Sequence, residues 1–284
     1  MSSLVLRLTD LKEKVMKKSI FLVCIILSLF ESSAQGKIDG FYRGQGNATA
    51  VVGFGFEDGK NYFAGTDKTD ISRSLYYANL YGSYGVLDDL DVSMSIPYLS
   101  SNKNNDFQDL SLFVKYRVFN SELSSGKLQL SIATGFSTPL SNYTIGGLND
   151  IGQQATVIES RLMVHYHLNN GWFATLQSGY SFKLEEVPDA LPITFKAGKA
   201  TGNWYYDLYY DYQHSFGGID YLGTPSPQNF KEFGVDFHKV GGTVYKSFNK
   251  NLGAFVSLSY VISGRNVFQG PGYGLGLVYD FRKN

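Results

Sequence analysis

Cysteine is nearly absent: Cys24 is the single one among 284 residues, and it sits inside an apolar N-terminal run. A disulfide framework and thiolate chemistry are thereby excluded for everything downstream. Proline is scarce at 7 residues and only 18% of the chain is charged, against 43% hydrophobic. That balance does not describe a disordered polymer. No sign of charge prevails, since 25 basic residues face 25 acidic ones. No electrostatic footprint for nucleic acid is present. Long hydrophobic runs are missing too. After Phe30 nothing approaches the roughly 18 apolar residues that a spanning helix needs.

The one apolar run is N-terminal. From Met16 the chain reads Lys17-Lys18, then Ile20–Phe30, then Glu31-Ser32-Ser33-Ala34-Gln35. A basic start, a short apolar stretch and a small-residue end predict a cleaved signal peptide, with cleavage after Ala34. Residues 1–15 read as sequence upstream of the true start. A lipoprotein signal built on Cys24 is disfavoured, because Val23 stands where a small residue belongs. Residues 1–34 therefore form an extension and signal peptide, and 35–284 one domain. Removing 1–34 takes away five of the basic and three of the acidic residues and leaves a net charge of −2.

What the chain does have is glycine and aromatics: 31 Gly, where usage of about 7% gives roughly 20, with 21 Tyr and 21 Phe. They fall in segments that alternate with period two, the pattern of a strand with two unlike faces. In 109–119 one face carries Leu110, Leu112, Val114, Tyr116 and Val118, and the other Asp109, Ser111, Phe113, Lys115 and Arg117. In 157–168 Ile158, Leu162, Val164 and Tyr166 oppose Glu159, Arg161, His165 and His167. In 203–213 Trp204, Tyr206, Leu208, Tyr210 and Tyr212 oppose Asp207, Asp211 and Gln213.

Twelve such segments are predicted, at 41–56, 74–86, 90–99, 107–119, 126–137, 155–168, 171–183, 191–199, 203–214, 233–248, 251–263 and 271–282. The register inside 233–248 is ambiguous. Their connections alternate strictly between short turns, such as Asn169-Asn170 and Asn249-Lys250, and longer polar loops, such as 138–154 and 215–232. A soluble sandwich has no reason to sort its loops, whereas an outer-membrane barrel does. The prediction is an all-β fold: a transmembrane antiparallel up-and-down barrel of about twelve strands in the bacterial outer membrane. Apolar faces would meet lipid and aromatic ends the interfaces.

The polar faces then supply the candidate lumen-lining residues: Lys115, Arg117, Glu159, Arg161, His165, His167, Asp207 and Asp211. His165 and His167 on one strand face suggest a metal pair, but no further ligands are placed with them, and a charge cluster that narrows a pore explains them better. Gly272-x-Gly274-x-Gly276 and Gly53-x-Gly55 lack the following helix that a phosphate loop requires. Glu57, Asp58, Asp67 and Asp70 lack the spacing of a calcium loop and read as a solvated loop. No cofactor or metal is expected. Two enzyme families use twelve-stranded barrels, yet the one His-Ser neighbour pair, His214-Ser215, stands at a strand end without the arrangement of an outer-membrane phospholipase. An enzyme is not expected.

Near the end, Gly276-Leu277-Val278-Tyr279-Asp280-Phe281 resembles the C-terminal signal read by the barrel-assembly machinery, although Arg282-Lys283-Asn284 follow the final Phe. The strand pattern and the Ala34-Gln35 site resemble small outer-membrane barrels of Bacteroidota. Asp88–Tyr98 contains Leu90-Asp91-Val92 and, four residues on, Pro97-Tyr98. It is similar to the hairpin of the meta-pathway phenol-degradation transporter family, relatives of the long-chain fatty-acid transporters. The resemblance covers most of residues 35–284 and implies passive transport of small, hydrophobic or aromatic compounds. It implies no site residues, and no N-terminal plug is discernible here. The expected function is a narrow passive channel, and the expected partners are outer-membrane lipid, the assembly machinery and an unidentified small solute. The alternatives are a non-transporting barrel whose loops 138–154 and 215–232 bind partners, and a lipid hydrolase.

Overall fold

A computed structural model describes residues 38–283 apart from 102, 103 and 228. The signal-peptide reading, the cleavage site after Ala34 and Cys24 lie outside the described residues. Twelve long strands follow in order: β1 Ala48–Gly59, β2 Arg73–Leu87, β3 Leu90–Ser101, β4 Asp109–Leu123, β5 Gly126–Pro139, β6 Val157–Leu168, β7 Trp172–Lys183, β8 Ala190–Ala200, β9 Trp204–Ser215, β10 Asp236–Ser247, β11 Leu252–Arg265 and β12 Pro271–Phe281. Each pairs antiparallel with the next, and β1 closes on β12 from Ala48 opposite Phe281 to Glu57 opposite Gly272. The sheet therefore has no free edge, the condition for strands to exist in hydrocarbon.

The alternation read from the sequence is the alternation of the barrel wall. Leu162 and Leu208 are 68% and 74% exposed on the outside, while Glu159, His165 and Thr243, on the other face, are each 2% exposed. Apolar side chains outside and polar ones inside exclude a soluble barrel with a packed apolar core. Short turns join β2–β3, β4–β5, β6–β7, β8–β9 and β10–β11, and the longer connections all lie at the opposite end. Twelve strands bring Ala48 and Phe281 to the short-turn end, the periplasmic one by the usual sorting of loops.

Two features of the sequence acquire reasons. Glycines on the inner wall receive aromatic rings from the neighbouring strand. A Cβ at Gly135 would lie 2.3 Å from the Phe113 ring, and one at Gly276 2.4 Å from the Phe255 ring. The two glycine motifs face each other across the closing seam, with Gly53 opposite Gly276 and Gly55 opposite Gly274. The ambiguous register in 233–248 has a cause as well: the β10–β11 ladder shifts between His238 and Lys239. A bulge makes one residue extra and breaks the period-two reading.

The first strand is corrected. It begins at Ala48 rather than 41, because Gly44 and Gly46 adopt φ of +79° and +81°, which ends the extended chain. At the other end, loops 140–156 and 216–235 fold over the barrel mouth. Gln153 reaches across with its amide to the carbonyls of Phe230 and Phe233 at 3.3 and 3.2 Å. Asn266 ties Gly65, Ile219 and Gly234 together through its side chain.

Candidate functional site: a narrowed lumen

Residues 38–47 enter the barrel, so the expectation of a chain without an N-terminal plug is overturned. Gly46 and Asn47 hydrogen-bond with Gly85 at the periplasmic end. From there the segment runs inward to Ile38, which is buried with Phe113 and Ala133. The polar wall holds it. The Lys115 ammonium donates to the carbonyls of Asp39 and Phe41 at 3.0 and 2.6 Å. Its charge lies 3.5 Å from Asp91 and 3.8 Å from Asp39. Arg43 pairs with Asp39 at 2.7 Å, and its backbone N–H donates to Asp91 at 3.2 Å. The Tyr42 hydroxyl donates to Ser131 at 2.8 Å, with Lys115 and Arg117 at 4.0 and 4.6 Å from its ring centre. Gln177 donates to the Ile38 carbonyl at 3.3 Å.

Phe41 is the apolar anchor. Its ring stands edge-on to His165, Phe173 and His167, with centroids 4.8, 5.1 and 5.8 Å away. Gly40 passes so close to His165 that a Cβ there would overlap the imidazole at 2.1 Å. Burying these charges and carbonyls together pairs most of them, while the Arg43 Nε is buried without a hydrogen-bond partner. Taking one partner away from such a cluster is worth about 3–5 kcal/mol in a dry interior, and less where water reaches it.

The eight candidate residues all stand on inward faces, with unequal surroundings. Lys115 and Arg117 touch the segment directly, and Arg117 also donates to Asp89 at 2.6 Å. His165 and His167 pack on Phe41, and His165 shares a hydrogen bond with Thr175 at 2.7 Å. Among the described residues no group of three His, Cys, Asp or Glu converges as a metal site would require. Glu159 and Arg161 pair with each other at 2.7 Å. Asp207 accepts from Tyr205 at 2.6 Å and from the Thr243 N–H at 3.0 Å, with Lys196 at 3.4 Å. Asp211 lies opposite Lys239 in register. His214 faces Asp236 at 3.5 Å while the Ser215 hydroxyl donates to the Val235 carbonyl, so the pair is not arranged for nucleophilic attack.

Sequence reasoning missed Asp39, Tyr42, Arg43, Asp91 and Lys196. A signal was available in Asp39 and Arg43, four apart and followed by Gly44 and Gly46, because that stretch has no clean alternation.

Beyond the segment, toward the outer loops, lies a chamber of about 400 Å³. Tyr77, Asn79, Tyr81, Ser95, Ser111 and Phe113 line it, and the side-chain-free Gly53 gives it width. It mixes aromatic faces with hydroxyl and amide groups, the composition of a small-molecule site. Loop 140–156 packs against two of the lining residues, Leu75 and Leu99. Tyr143 is 2% exposed, packs with Leu75, Leu99 and Ile151, and donates to Asp109 at 2.8 Å. Burial first, and then the Asp109 charge, push the Tyr143 phenol well above its ordinary pKa, so it remains a neutral donor.

In class, then, this is an outer-membrane-type barrel of twelve strands whose lumen is narrowed by its own N-terminal segment. Residues 39–277 match the model of the family described as "Putative MetA-pathway of phenol degradation", and the chain belongs to that family. Its fold is similar to that of an outer membrane channel from Pseudomonas putida F1, with a TM-score of 0.68 and 13% identity over 87% of this chain and 100% of that one. It is also similar to the NanC porin, with a TM-score of 0.53 and 12% identity over 81% of this chain and 98% of that one. No curated protein matches the chain.

Proposed function

We propose that this protein is a narrow passive channel of the outer membrane for small hydrophobic or aromatic compounds. The observation that carries this reading is a closed barrel with a polar inner wall around a chamber of about 400 Å³, constricted by residues 38–47 rather than filled by wall side chains. Eight-stranded barrels are filled by side chains and those of sixteen or more are open; twelve strands leave room for one small solute at a time. The description of the family supports an aromatic cargo, and Tyr77, Tyr81 and Phe113 supply faces against which a ring packs.

Export to that membrane by the segment 16–34, with the chain beginning at Gln35 after processing, is part of the same reading. So is recognition of β12 by the assembly machinery. Liposome swelling with neutral solutes of graded size tests the channel. Flux of single-ring compounds, with exclusion of larger ones, is expected. The order of the folded loops 140–156 and 216–235 favours a second reading, a non-transporting barrel that binds partners through them, and absence of any flux would select it.

A further inference from the structure

The seam that closes the barrel carries few side chains on its inner face. Gly53 and Glu57 line the chamber, and strand alternation puts Gly55 between them on the same face. Across the seam stand Gly276, Gly274 and Gly272 in turn. Gly276 has a packing reason, the Phe255 ring. Gly53 has none: a Cβ there would come no closer than 3.7 Å to any atom beyond its chain neighbours. Nor does its backbone take a positive φ. A glycine inside a strand weakens it, and where neither packing nor φ requires one on an inner wall, close approach of another molecule is the reason left. At its outer end the strip reaches a smaller pocket lined by Gly59, Gly270 and Gly272, and Glu57 lines both that pocket and the chamber. A second observation points to the same wall. Thr243 lines the chamber in one row with the strip, since it stands opposite Ser257, Ser257 opposite Gly274, and Gly274 opposite Gly55. It is 2% exposed, and its N–H donates to Asp207 at 3.0 Å, yet its hydroxyl has no hydrogen-bond partner among the described residues. A buried hydroxyl left unpaired costs stability, so its retention calls for a partner from outside the chain.

We propose that solutes cross the outer half of the lumen along this glycine strip, that Gly53 and Gly55 set the width of the route, and that the Thr243 hydroxyl is the hydrogen-bonding contact solutes meet beside it. The inference rests on the channel reading and adds to it the route and the residues that set its selectivity. A strip without side chains lets a small molecule lie directly on the wall. A hydroxyl both donates and accepts, so Thr243 serves any neutral solute with a polar group and favours it over an apolar one of the same size. Its gain from that contact replaces a bond the protein itself leaves unmade.

Planar-bilayer conductance and liposome swelling with arabinose, glucose and sucrose, on the full chain and its variants, test this. Gly53→Leu and Gly55→Leu fill the route, and both readings should fall several-fold. Gly53→Ala adds a methyl group at ordinary contact distance, so it should fold like the unmodified protein and slow glucose more than arabinose. It stands in if Gly53→Leu does not fold. Gly82→Leu, on the outer face of β2 where a Cβ meets nothing within 4 Å, should leave both readings unchanged. That control separates filling the lumen from replacing a strand glycine. Thr243→Val keeps the shape and removes the unpaired hydroxyl. It should resist urea at least as well as the unmodified protein, yet slow arabinose swelling by about fivefold, the worth of one hydrogen bond. Thr243→Ser should restore the rate. A merely structural residue would not become more stable and slower together. Unchanged swelling in folded Gly53→Leu or Gly53→Ala, or in Thr243→Val, would overturn the proposal while the unmodified protein still conducts. An unmodified protein that passes neither ions nor arabinose would end the channel reading, and this inference with it.

Discussion

Lys115 of β4 donates its ammonium to the main-chain carbonyl of Phe41 at 2.6 Å, which joins the barrel wall to the segment inside it by a charge-assisted bond. The same ammonium serves the Asp39 carbonyl and lies near two carboxylates. Replacing it with Met keeps most of the stem but strands those acceptors. Lys115→Met should destabilise folding by about 3–5 kcal/mol, read by urea titration in lipid vesicles. It should also raise single-channel conductance, because the segment loses a wall group that holds two of its carbonyls.

The two wall faces should respond oppositely to charge. Arg at Leu112, Leu130, Val164 or Leu258 places a guanidinium in hydrocarbon, and each should cost about 2–4 kcal/mol near the midplane. Arg at Ser111 or Ser257, one residue along and inward, should cost little and alter conductance instead. Ser131 and His165 also face inward, but Tyr42 and Phe41 cover them. Arg there should displace the segment and widen the channel. Equal losses on both faces in the urea titrations would contradict the assignment of inside and outside.

Gly135→Ala tests how the chamber gets its space. A methyl group at 135 meets the Phe113 ring at 2.3 Å, and because Phe113 lines the chamber, a ring pushed aside changes its width. Slower liposome swelling with single-ring solutes is expected, with ion conductance reduced in parallel. Unchanged swelling would mean that solutes take another route.

Loop polarity is tested on intact cells with an impermeant maleimide and single cysteines. Asn149→Cys and Asn229→Cys lie in the long connections and should label, whereas Asn170→Cys in the β6–β7 turn should not. The reverse pattern would invert the topology.

The barrel was legible because its physics is written residue by residue. A strand between lipid and a wetted lumen has to alternate, and Ile158 through Leu168 does so in plain view. Legibility failed where one residue's meaning depends on distant ones. The bulge at His238 and Lys239 erased the alternation of β10. Residues 38–47 carry neither strand nor helix period, and what fixes them is Lys115, Asp91, Ser131 and Gln177, brought together only when the barrel closes. The candidate charges were read as bare lumen lining for the same reason. Nothing along β4 or β6 announces that Lys115 and His165 face a second piece of chain. Tyr143 was hidden in a loop whose polarity suggested solvent, since its burial depends on Leu75 and Leu99 from β2 and β3.

The central claim is that a passive pathway exists and that residues 38–47 narrow it. The most direct measurement is single-channel conductance in planar bilayers of the unmodified protein beside a variant lacking residues 38–43, which keeps the Gly44–Asn47 turn against Gly85. A small, steady conductance for the first and one several-fold larger for the second is the predicted result. Equal conductances would show that the segment does not lie in the path, and silence from both would show that there is no path.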